Sequence, residues 1–220
     1  MKGLIFDLDG VLVDSMTTHY KAWKTAFEEI TSLQVDERSI YLLEGMRGID
    51  LVEEIFKKYN YTDLSKTQVV IQRKDEVFRS VMNIRPYDKV NDILQQLRCV
   101  KAIVSGSATQ DVVSIMNQCF QKNIFEIVLT GDDIVHGKPD PEGFKLFLHR
   151  ANLNPSDVLV VENSPLGVEA SNNAGIKPIV VLNNSPLTAK DFVHLIARDN
   201  IYPETKNIED KLVIWCDDDR

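Results

Sequence analysis

The first ten residues constrain this chain more than any other stretch. Gly3 to Phe6 form an apolar run too short for a helix, and Asp7, Leu8, Asp9 and Gly10 follow it. Such a run predicts a buried strand of a parallel sheet. Side chains alternate along an extended chain, so Asp7 and Asp9 point the same way and repel unless a cation or shared proton compensates them. This favours a ligand site at a strand's carboxyl end, although an ordinary strand-to-turn exit explains Asp-x-Asp-Gly about equally well.

The same stretch, extended to Ser15, resembles the first signature of the haloacid dehalogenase superfamily of phosphotransferases. That signature is hDxDGxxxDS, with h apolar, and this chain reads FDLDGVLVDS from Phe6 to Ser15. The resemblance implies that Asp7 is the nucleophile that forms an aspartyl-phosphate and that Asp9 is the general acid and base. It also implies a Mg²⁺ cofactor, which clamps the phosphoryl oxygens and neutralises their charge.

Composition and charge argue against several classes of protein. The chain has 220 residues, of which 44% are hydrophobic, so it can bury a sizeable core. Its net charge of −8 argues against nucleic acid or an anionic membrane as a partner. No apolar run is long enough for a membrane helix, and Met1 and Lys2 lead straight into the first strand without a signal-peptide core. We therefore expect a cytoplasmic protein. The resemblance to the superfamily implies a small phosphorylated molecule as the substrate, and we expect a monomer or a weak dimer.

The pattern of apolar residues changes near residue 84. Residues 16–83 show helical spacing without a strand pattern, which predicts a separate small helical domain, although helices covering one face of a sheet show the same spacing. The resemblance to the superfamily implies that this domain is a cap that closes over the active site. In residues 84–220 strands and helices alternate, which, together with residues 1–15, predicts an α/β core with a doubly wound parallel sheet. The later strands are predicted at Val100–Val104, Ile127–Leu129, Val158–Val161 and Ile179–Leu182, and the helices at Val90–Leu97, Gln110–Cys119, Pro141–Ala151 and Pro165–Ala174.

Two further expectations concern the cysteines and the C-terminus. Cys99, Cys119 and Cys216 stand singly, with no Cys-x-x-Cys pair, so buried thiols are expected rather than a disulfide or a metal site. The acidic end, Asp217 to Asp219, predicts a solvated tail.

Ser105, Gly106 and Ser107 follow the strand predicted at Val100–Val104. A hydroxyl and exposed backbone N–H groups at a strand end can bind phosphate oxygens, but Ser-Gly-Ser alone is more often only a turn. The triplet resembles the second motif of the superfamily, a Ser or Thr that ends the second strand. The resemblance implies that Ser105 is catalytic and that Gly106 and Ser107 contact the substrate.

Lys138 lies in the run Gly-Lys-Pro-Asp-Pro, in which two prolines keep the chain out of a helix. Most surface lysines are merely solvated. This run, followed by Phe144, resembles the third motif of the superfamily, whose lysine supports the nucleophile and balances the charge of the phosphoryl group. We therefore expect Lys138 to act in catalysis.

Glu162 and Asn163 follow another predicted strand. Mg²⁺ takes few protein carboxylates and keeps several waters, so an acid that meets Asp7 across neighbouring strands suits it. Members of the superfamily commonly carry two acids here, whereas this chain has an acid and an amide. We expect Asp7, Asp9, Glu162 and Asn163 to form the metal site. Glu162 would bind Mg²⁺ directly or through water, and Asn163 would orient a water or the Lys138 ammonium.

Three residues of the predicted cap are candidates for substrate binding. His19 lies in a stretch, THYKAW, that resembles the His-x-x-Ala-Trp hinge of hexose-phosphate enzymes. We expect it to help pass a proton to Asp9, although a half-exposed helix histidine is the alternative. Arg47 lies in the loop GMRG, which resembles a substrate-probing cap loop, but it stands one position before the arginine of β-phosphoglucomutases. Lys74 supplies a second cation unless it is only an exposed helix lysine.

Together these features predict a Mg²⁺-dependent phosphatase that hydrolyses a small, sugar-like phosphomonoester. A phosphohexomutase of the β-phosphoglucomutase kind is the alternative, which the displaced Arg47 weakens because a mutase must clamp a second phosphate. Dehalogenation is less favoured, because that chemistry leaves Glu162 and Lys138 without a joint purpose. A non-catalytic binding module with the same fold is the alternative of another class, and such a module does not need both Asp7 and Asp9.

Overall fold

A computed structural model describes residues 1–218 and shows a six-stranded parallel sheet with helices packed on both faces. The order across the sheet is β3-β2-β1-β4-β5-β6. This confirms the predicted doubly wound α/β class, in which the first strand lies in the middle and later strands are added on either side. The strands are β1 Gly3–Phe6, β2 Val100–Val104, β3 Ile127–Leu129, β4 Val158–Glu162, β5 Lys177–Val181 and β6 Ile201–Tyr202.

Strand β1 lies near the centre of the sheet and leads into the first motif. It pairs with β2 on one side and β4 on the other, so Phe6 lies opposite both Ile103 and Val161. Its residues are buried because both faces are covered: Leu4 and Phe6 pack in one apolar cluster and Ile5 in the other. The residues after β1 therefore emerge at the carboxyl edge of the sheet where the strand order reverses, which is the usual ligand position in such folds.

Five helices accompany the later strands, and most of the predicted elements are confirmed to within two residues. No element was predicted beyond residue 182, so β6 and the last helix are additions. Asp217 ends that helix and, like Asp218, is exposed, whereas Asp219 lies outside the described residues. None of the described helices is both long and apolar enough to cross a membrane. The five are α5 Val90–Gln96, α6 Thr109–Cys119, α7 Glu142–Ala151, α8 Pro165–Asn173 and α9 Glu209–Asp217.

The segment between β1 and α5 is helical and has an apolar cluster of its own. Its helices are α1 Met16–Thr31, α2 Glu37–Leu42, α3 Gly48–Lys58 and α4 Thr67–Val81. Trp23, Phe27 and Phe56 are at the centre of this cluster, which is separate from the two clusters that cover the sheet. These contacts are those expected of a cap, and its boundaries at residues 16 and 83 stay a prediction.

Both side-chain and backbone contacts hold the helical insertion against the core. Arg79 of α4 donates from Nε to Asp111 Oδ1 of α6 at 2.9 Å, and the Asp111 side chain is buried. Elsewhere, the loop between α2 and α3 lies on the strand ends: a Cβ added to Gly106 would come within 2.6 Å of the Gly45 carbonyl oxygen. The two backbones approach this closely because Gly106 has no side chain.

The expectation that the cysteines are all free thiols is wrong. Cys99 and Cys216 form a disulfide that joins the residue before β2 to helix α9, whereas Cys119 is a free, buried thiol. The two partners are 117 residues apart in the sequence. Their pairing depends on α9 folding back beside the start of β2, and no local spacing of cysteines reveals that contact.

We predict that Phe56→Ala lowers the free energy of unfolding by about 3–5 kcal/mol, because it opens a cavity in the cluster of the insertion. Phe56 is fully buried and packs edge-on against Phe27. Val69→Ala, on the exposed side of α4, serves as the control and should change stability by less than about 0.5 kcal/mol. Urea denaturation measures both, and a loss below about 1 kcal/mol for Phe56→Ala would show that the insertion is not packed as described.

Candidate active site

Lys138 joins two of the predicted site residues. Its ammonium nitrogen lies 2.5 Å from Asp7 Oδ1 and 2.6 Å from Glu162 Oε1, and all three side chains are buried. Although burial acts in the opposite direction, the charges of the two carboxylates raise the pKa of Lys138 above its usual range. Strands β1 and β4 are neighbours and end side by side. Lys138, from the segment between β3 and α7, therefore forms ion pairs with both strand ends.

Asp9 is held by three hydrogen-bonding side chains. Ser15 Oγ donates to Oδ1 at 2.5 Å, His19 Nε2 lies 3.0 Å from the same oxygen, and Ser107 Oγ donates to Oδ2 at 2.8 Å. Burial works against ionisation, but the charge of His19 and the three hydrogen bonds outweigh it and lower the pKa of Asp9 below its usual range. Asp9 is therefore a carboxylate whose position is fixed.

Asp7 is in the opposite state, because its environment does not stabilise its charge. Burial, aided by the charges of Glu162 and Asp9 and opposed by Lys138, raises the pKa of Asp7 to about 8. Its Oδ2 is buried and has no hydrogen-bond partner. An ionised Asp7 at neutral pH therefore needs further positive charge beside it.

Glu162 and Asn163 have different neighbours, although they are adjacent at the end of β4. The Glu162 carboxylate packs against Gly167 in the first turn of α8 and pairs with Lys138. The Asn163 Nδ2 donates to the Asp9 backbone oxygen at 3.0 Å, and its Oδ1 is buried without a partner. Glu162 is thus engaged by the lysine, whereas Asn163 has a free amide oxygen beside the first motif.

Unpartnered oxygens make the site suitable for a hard cation. Asp7 Oδ2, Asn163 Oδ1 and Glu44 Oε2 are buried and accept no hydrogen bond. Within residues 1–218 no three His, Cys, Asp or Glu side chains converge as a ready metal site, and Lys138 lies against both Asp7 and Glu162. Carboxylate and amide oxygens are nevertheless the ligands that Mg²⁺ prefers, and it completes its shell with water. The donor set therefore fits Mg²⁺.

The second predicted motif reaches the same edge of the sheet. Ser105 is buried at the end of β2, where its N–H donates to the Leu129 carbonyl and its Oγ accepts from the Ser107 N–H at 3.1 Å. Gly106 lies beneath the Gly45 loop, and the Ser107 hydroxyl is bound to Asp9. The structure thus brings all of the predicted core residues together at the ends of β1, β2 and β4.

A cavity of about 510 Å³ lies between this edge and the helical insertion. Asp9, Gly106 and Ser107 line it from the core, whereas Ser105 and Lys138 line a narrow recess beside it. The lining contributed by the insertion is largely apolar, with a few charged groups. It consists of Met16, His19, Trp23, Ile40, Glu44, Gly45, Met46, Arg47, Gly48, Ile49, Leu51, Ile71, Lys74 and Asp75.

A comparison with known proteins identifies the family. The family model of haloacid dehalogenase-like hydrolases matches residues 4–181. The chain belongs to this family. The resemblance inferred from the first motif is therefore confirmed.

Individual relatives agree with this assignment. A phosphorylated carbohydrates phosphatase of Thermotoga maritima is 27% identical over 207 residues, which cover 93% of this chain and 95% of the relative. A β-phosphoglucomutase of Bacillus subtilis is 25% identical over 201 residues, 88% of each protein. The crystal structure of a hydrolase from Pseudomonas syringae superimposes with a TM-score of 0.86 at 20% identity, over 96% of this chain and 98% of that one. At that identity the superposition supports the fold alone.

The three residues of the insertion that were predicted to bind substrate, His19, Arg47 and Lys74, lie in different environments. His19 is buried, so the half-exposed alternative is wrong. Lys74 is also buried rather than exposed, with its ammonium 4.9 Å from the centre of the Phe78 ring. Arg47 lines the cavity, but its guanidinium donates to the Val135 carbonyl and pairs with Asp50. The Lys74 ammonium also lies 3.3 Å from Asp75 Oδ1, so Arg47 and Lys74 each already have an acidic partner.

Two site residues were missed in the sequence. Ser15 matches the first signature, but only the fold shows that its hydroxyl binds Asp9. Glu44 has only one signal in the sequence, which is its position directly before Gly45 in the loop between α2 and α3. An acid at that position is inconspicuous because loops are usually polar.

We predict that Asp7→Asn raises the melting temperature of the protein in EDTA. The folded-state pKa of Asp7 lies above its unfolded value of about 3.9. Ionisation of Asp7 therefore costs stability progressively as the pH rises from about 4 to about 8. The gain on removing the charge should be larger at pH 8 than at pH 5, at roughly 2–4 °C for each kcal/mol.

The exposed Asp199→Asn is the control for this change in melting temperature. Differential scanning calorimetry at both pH values compares the two variants with the wild type. If Asp7→Asn melts below the wild type at pH 8 in EDTA, the negative charge of Asp7 is already balanced within the protein.

Proposed function

We propose that this protein is a Mg²⁺-dependent phosphatase that hydrolyses a small, sugar-like phosphomonoester through an aspartyl-phosphate on Asp7. The observation that carries the proposal is a pair of buried acids at the end of β1 with opposite environments. Asp7 is paired with a lysine and keeps one unpartnered oxygen, whereas Asp9 is held by three hydrogen-bonding side chains. One carboxylate for attack and one for proton transfer is what such a reaction requires.

In the first step, Asp7 attacks the phosphorus in line with the leaving alkoxide. Lys138 and Ser105 hold the equatorial oxygens of the phosphoryl group. Both are buried at the strand ends, and the lysine already lies within 2.6 Å of its two carboxylate partners. Donors that are fixed in this way stabilise the developing charge without reorganising during the reaction.

Asp9 and His19 together move the proton. The leaving alkoxide is protonated through Asp9, and the proton comes from His19, whose Nε2 is 3.0 Å from Asp9 Oδ1. In the second step, the ionised Asp9 takes a proton from the water that attacks the aspartyl-phosphate. The lowered pKa of Asp9 keeps it in the form that this second step needs.

Asp7 and Asn163 would hold the cation, because Asp7 Oδ2 and Asn163 Oδ1 are buried without hydrogen-bond partners, and Asp9 and Glu162 lie beside them. When bound, Mg²⁺ supplies the positive charge that keeps Asp7 ionised and neutralises the phosphoryl oxygens. Glu162 supports the site mainly by holding Lys138, because the two groups are 2.6 Å apart. Asn163 therefore ranks before Glu162 as a direct ligand, the reverse of the ranking expected from the sequence.

The cavity supports a substrate of sugar size with both polar and apolar faces. Its volume of about 510 Å³ lies within the range typical of small-molecule sites. Trp23 presents an aromatic surface and Lys74 a buried cation on the cap side. The names of the relatives, a phosphatase of phosphorylated carbohydrates and a β-phosphoglucomutase, favour a sugar phosphate. The cytoplasmic location and the monomeric or weakly dimeric state stay predictions.

Hydrolysis is favoured over the mutase reaction by the contacts of Arg47. A mutase must hold the second phosphate of a bisphosphate intermediate, and the Arg47 guanidinium is engaged by the Val135 carbonyl and Asp50. A non-catalytic module is disfavoured because such a protein gains nothing from burying Asp7 and Asp9 side by side, which costs stability.

We predict that phosphate release in the presence of Mg²⁺ is fastest with hexose or pentose phosphates, in a panel that also contains nucleotides and phosphoglycolate. Asp7→Asn should lower the rate on the best substrate at least about a thousandfold, roughly 4 kcal/mol of barrier, because the amide is not a nucleophile. Asp199→Asn is the matched control and should keep the wild-type rate. A flat, feeble profile across the panel would count against a sugar phosphate, and activity of Asp7→Asn within tenfold of the wild type would exclude the aspartyl-phosphate.

We predict that β-glucose 1-phosphate, with a trace of its bisphosphate, yields free phosphate faster than glucose 6-phosphate. The reason is that the two cavity-lining cations of the insertion, Arg47 and Lys74, are already paired with Asp50 and Asp75, so neither is available to hold the distal phosphate. Phosphorus NMR follows both products in one tube. Accumulation of glucose 6-phosphate with little free phosphate would instead favour the mutase.

A further inference from the structure

Glu44 is a partly buried acid of the insertion to which the proposed mechanism gives no role. It lies in the loop between α2 and α3 and lines the same cavity as Asp9. Its Oε2 is buried and has no hydrogen-bond partner. An ionised carboxylate oxygen that is removed from water and left unpaired destabilises a protein strongly, so this oxygen requires an explanation.

The backbone fixes the position of Glu44. The Met46 N–H donates to the Leu43 carbonyl at 3.2 Å, which closes a four-residue turn with Glu44 second and Gly45 third. Gly45 has a φ of +88°, the left-handed value that a type II turn needs at its third position. A Cβ added to Gly45 would lie 2.6 Å from Lys138 Cδ. The turn therefore rests on the lysine that pairs with Asp7.

The charges around this turn are unbalanced. Asp7 and Glu162 share Lys138, and Arg47 and Lys74 pair with Asp50 and Asp75. Within residues 1–218, Glu44 forms no ion pair with a lysine or arginine. Burial, followed by the charge of Asp7, raises the pKa of Glu44 well above its usual range. Closing this loop over the site thus adds a fourth acid to three others.

We propose that Glu44 is a ligand, contributed by the insertion, of the divalent cation that also binds Asp7 and Asn163. This inference rests on the metal site of the proposed function. A single cation would serve three buried oxygens that lack partners, Asp7 Oδ2, Asn163 Oδ1 and Glu44 Oε2. A substrate hydroxyl would satisfy Glu44 alone and leave the other two unpaired.

This assignment links the cation to closure of the cap. The cation has ligands in the core and in the insertion, so it binds the closed arrangement more tightly than an open one. By thermodynamic reciprocity it also favours closure. The loop that carries Glu44 covers Lys138 and Gly106, so the cation would hold the cap over the phosphoryl site.

Isothermal titration calorimetry with Mg²⁺, without substrate, tests whether Glu44 is a ligand of the cation. We expect Glu44→Gln to weaken Mg²⁺ binding at least about tenfold. Glu44→Asp should weaken it similarly, because it keeps the charge but is one methylene too short to reach the cation. Glu53→Gln, which removes an exposed acid of α3, is the control and should bind as the wild type does. In the wild type, Mg²⁺ should slow hydrogen exchange of amides 44–48, and this protection should disappear in Glu44→Gln.

The possible outcomes are distinguishable. If Glu44→Gln binds Mg²⁺ as tightly as the wild type, Glu44 is not a ligand, while the core metal site stands. If Glu44→Asp alone keeps wild-type affinity, Glu44 acts only through its charge, and direct ligation is overturned. If the wild type binds no Mg²⁺, the metal site of the proposed function fails together with this inference.

Discussion

The candidate site depends on the ion pairs that Lys138 makes with Asp7 and Glu162. Two carboxylates at the buried ends of neighbouring strands would repel each other, and the ammonium group within 2.6 Å of both offsets that repulsion. Lys138 comes from the segment between β3 and α7, so the pairs also fix that segment against the centre of the sheet. The cap turn at Gly45 packs on the aliphatic part of the same lysine. One side chain thus contacts Asp7, the end of β4 and the loop that carries Gly45.

The remaining charges follow from this arrangement. One lysine cannot balance every acid at the edge, and the protein deals with the others in two ways. Asp9 is stabilised by Ser15, His19 and Ser107, which keep it ionised and in place. Asp7 keeps one carboxylate oxygen without a hydrogen-bond partner. The negative charge on this oxygen makes the site suitable for a cation. The pair of acids therefore differs in chemistry because its members differ in neighbours, not in residue type.

Much of the fold could be predicted, because its signals are local. The run Gly3 to Phe6 is apolar throughout since β1 is covered on both faces, and parallel strands end at one edge, which brings Asp7, Ser105 and Glu162 together. The features that could not be predicted are contacts between distant segments. The Cys99–Cys216 disulfide depends on where α9 returns to the core.

The finer chemistry of the site could not be predicted for the same reason. The different contacts of Glu162 and Asn163 depend on Lys138, which lies outside their strand. The burial of the Glu44 Oε2 atom depends on the turn at Gly45, which contacts the core only in the folded protein. Sequence motifs therefore indicate which residues lie at the carboxyl edge of the sheet. The hydrogen-bond and ion-pair partners of each residue depend on the tertiary structure.

Covalent phosphorylation of Asp7 distinguishes the proposed reaction from its alternatives, and it can be detected by trapping the intermediate. Enzyme quenched in acid during turnover of its best phosphomonoester is treated with borohydride, which reduces an acyl phosphate to an alcohol and converts the aspartate into homoserine. Peptide mass spectrometry then locates the change. We expect homoserine at position 7 in the wild type and none without substrate. Homoserine at Asp9 instead, or a phosphoryl group on Ser105 or His19, would contradict the account.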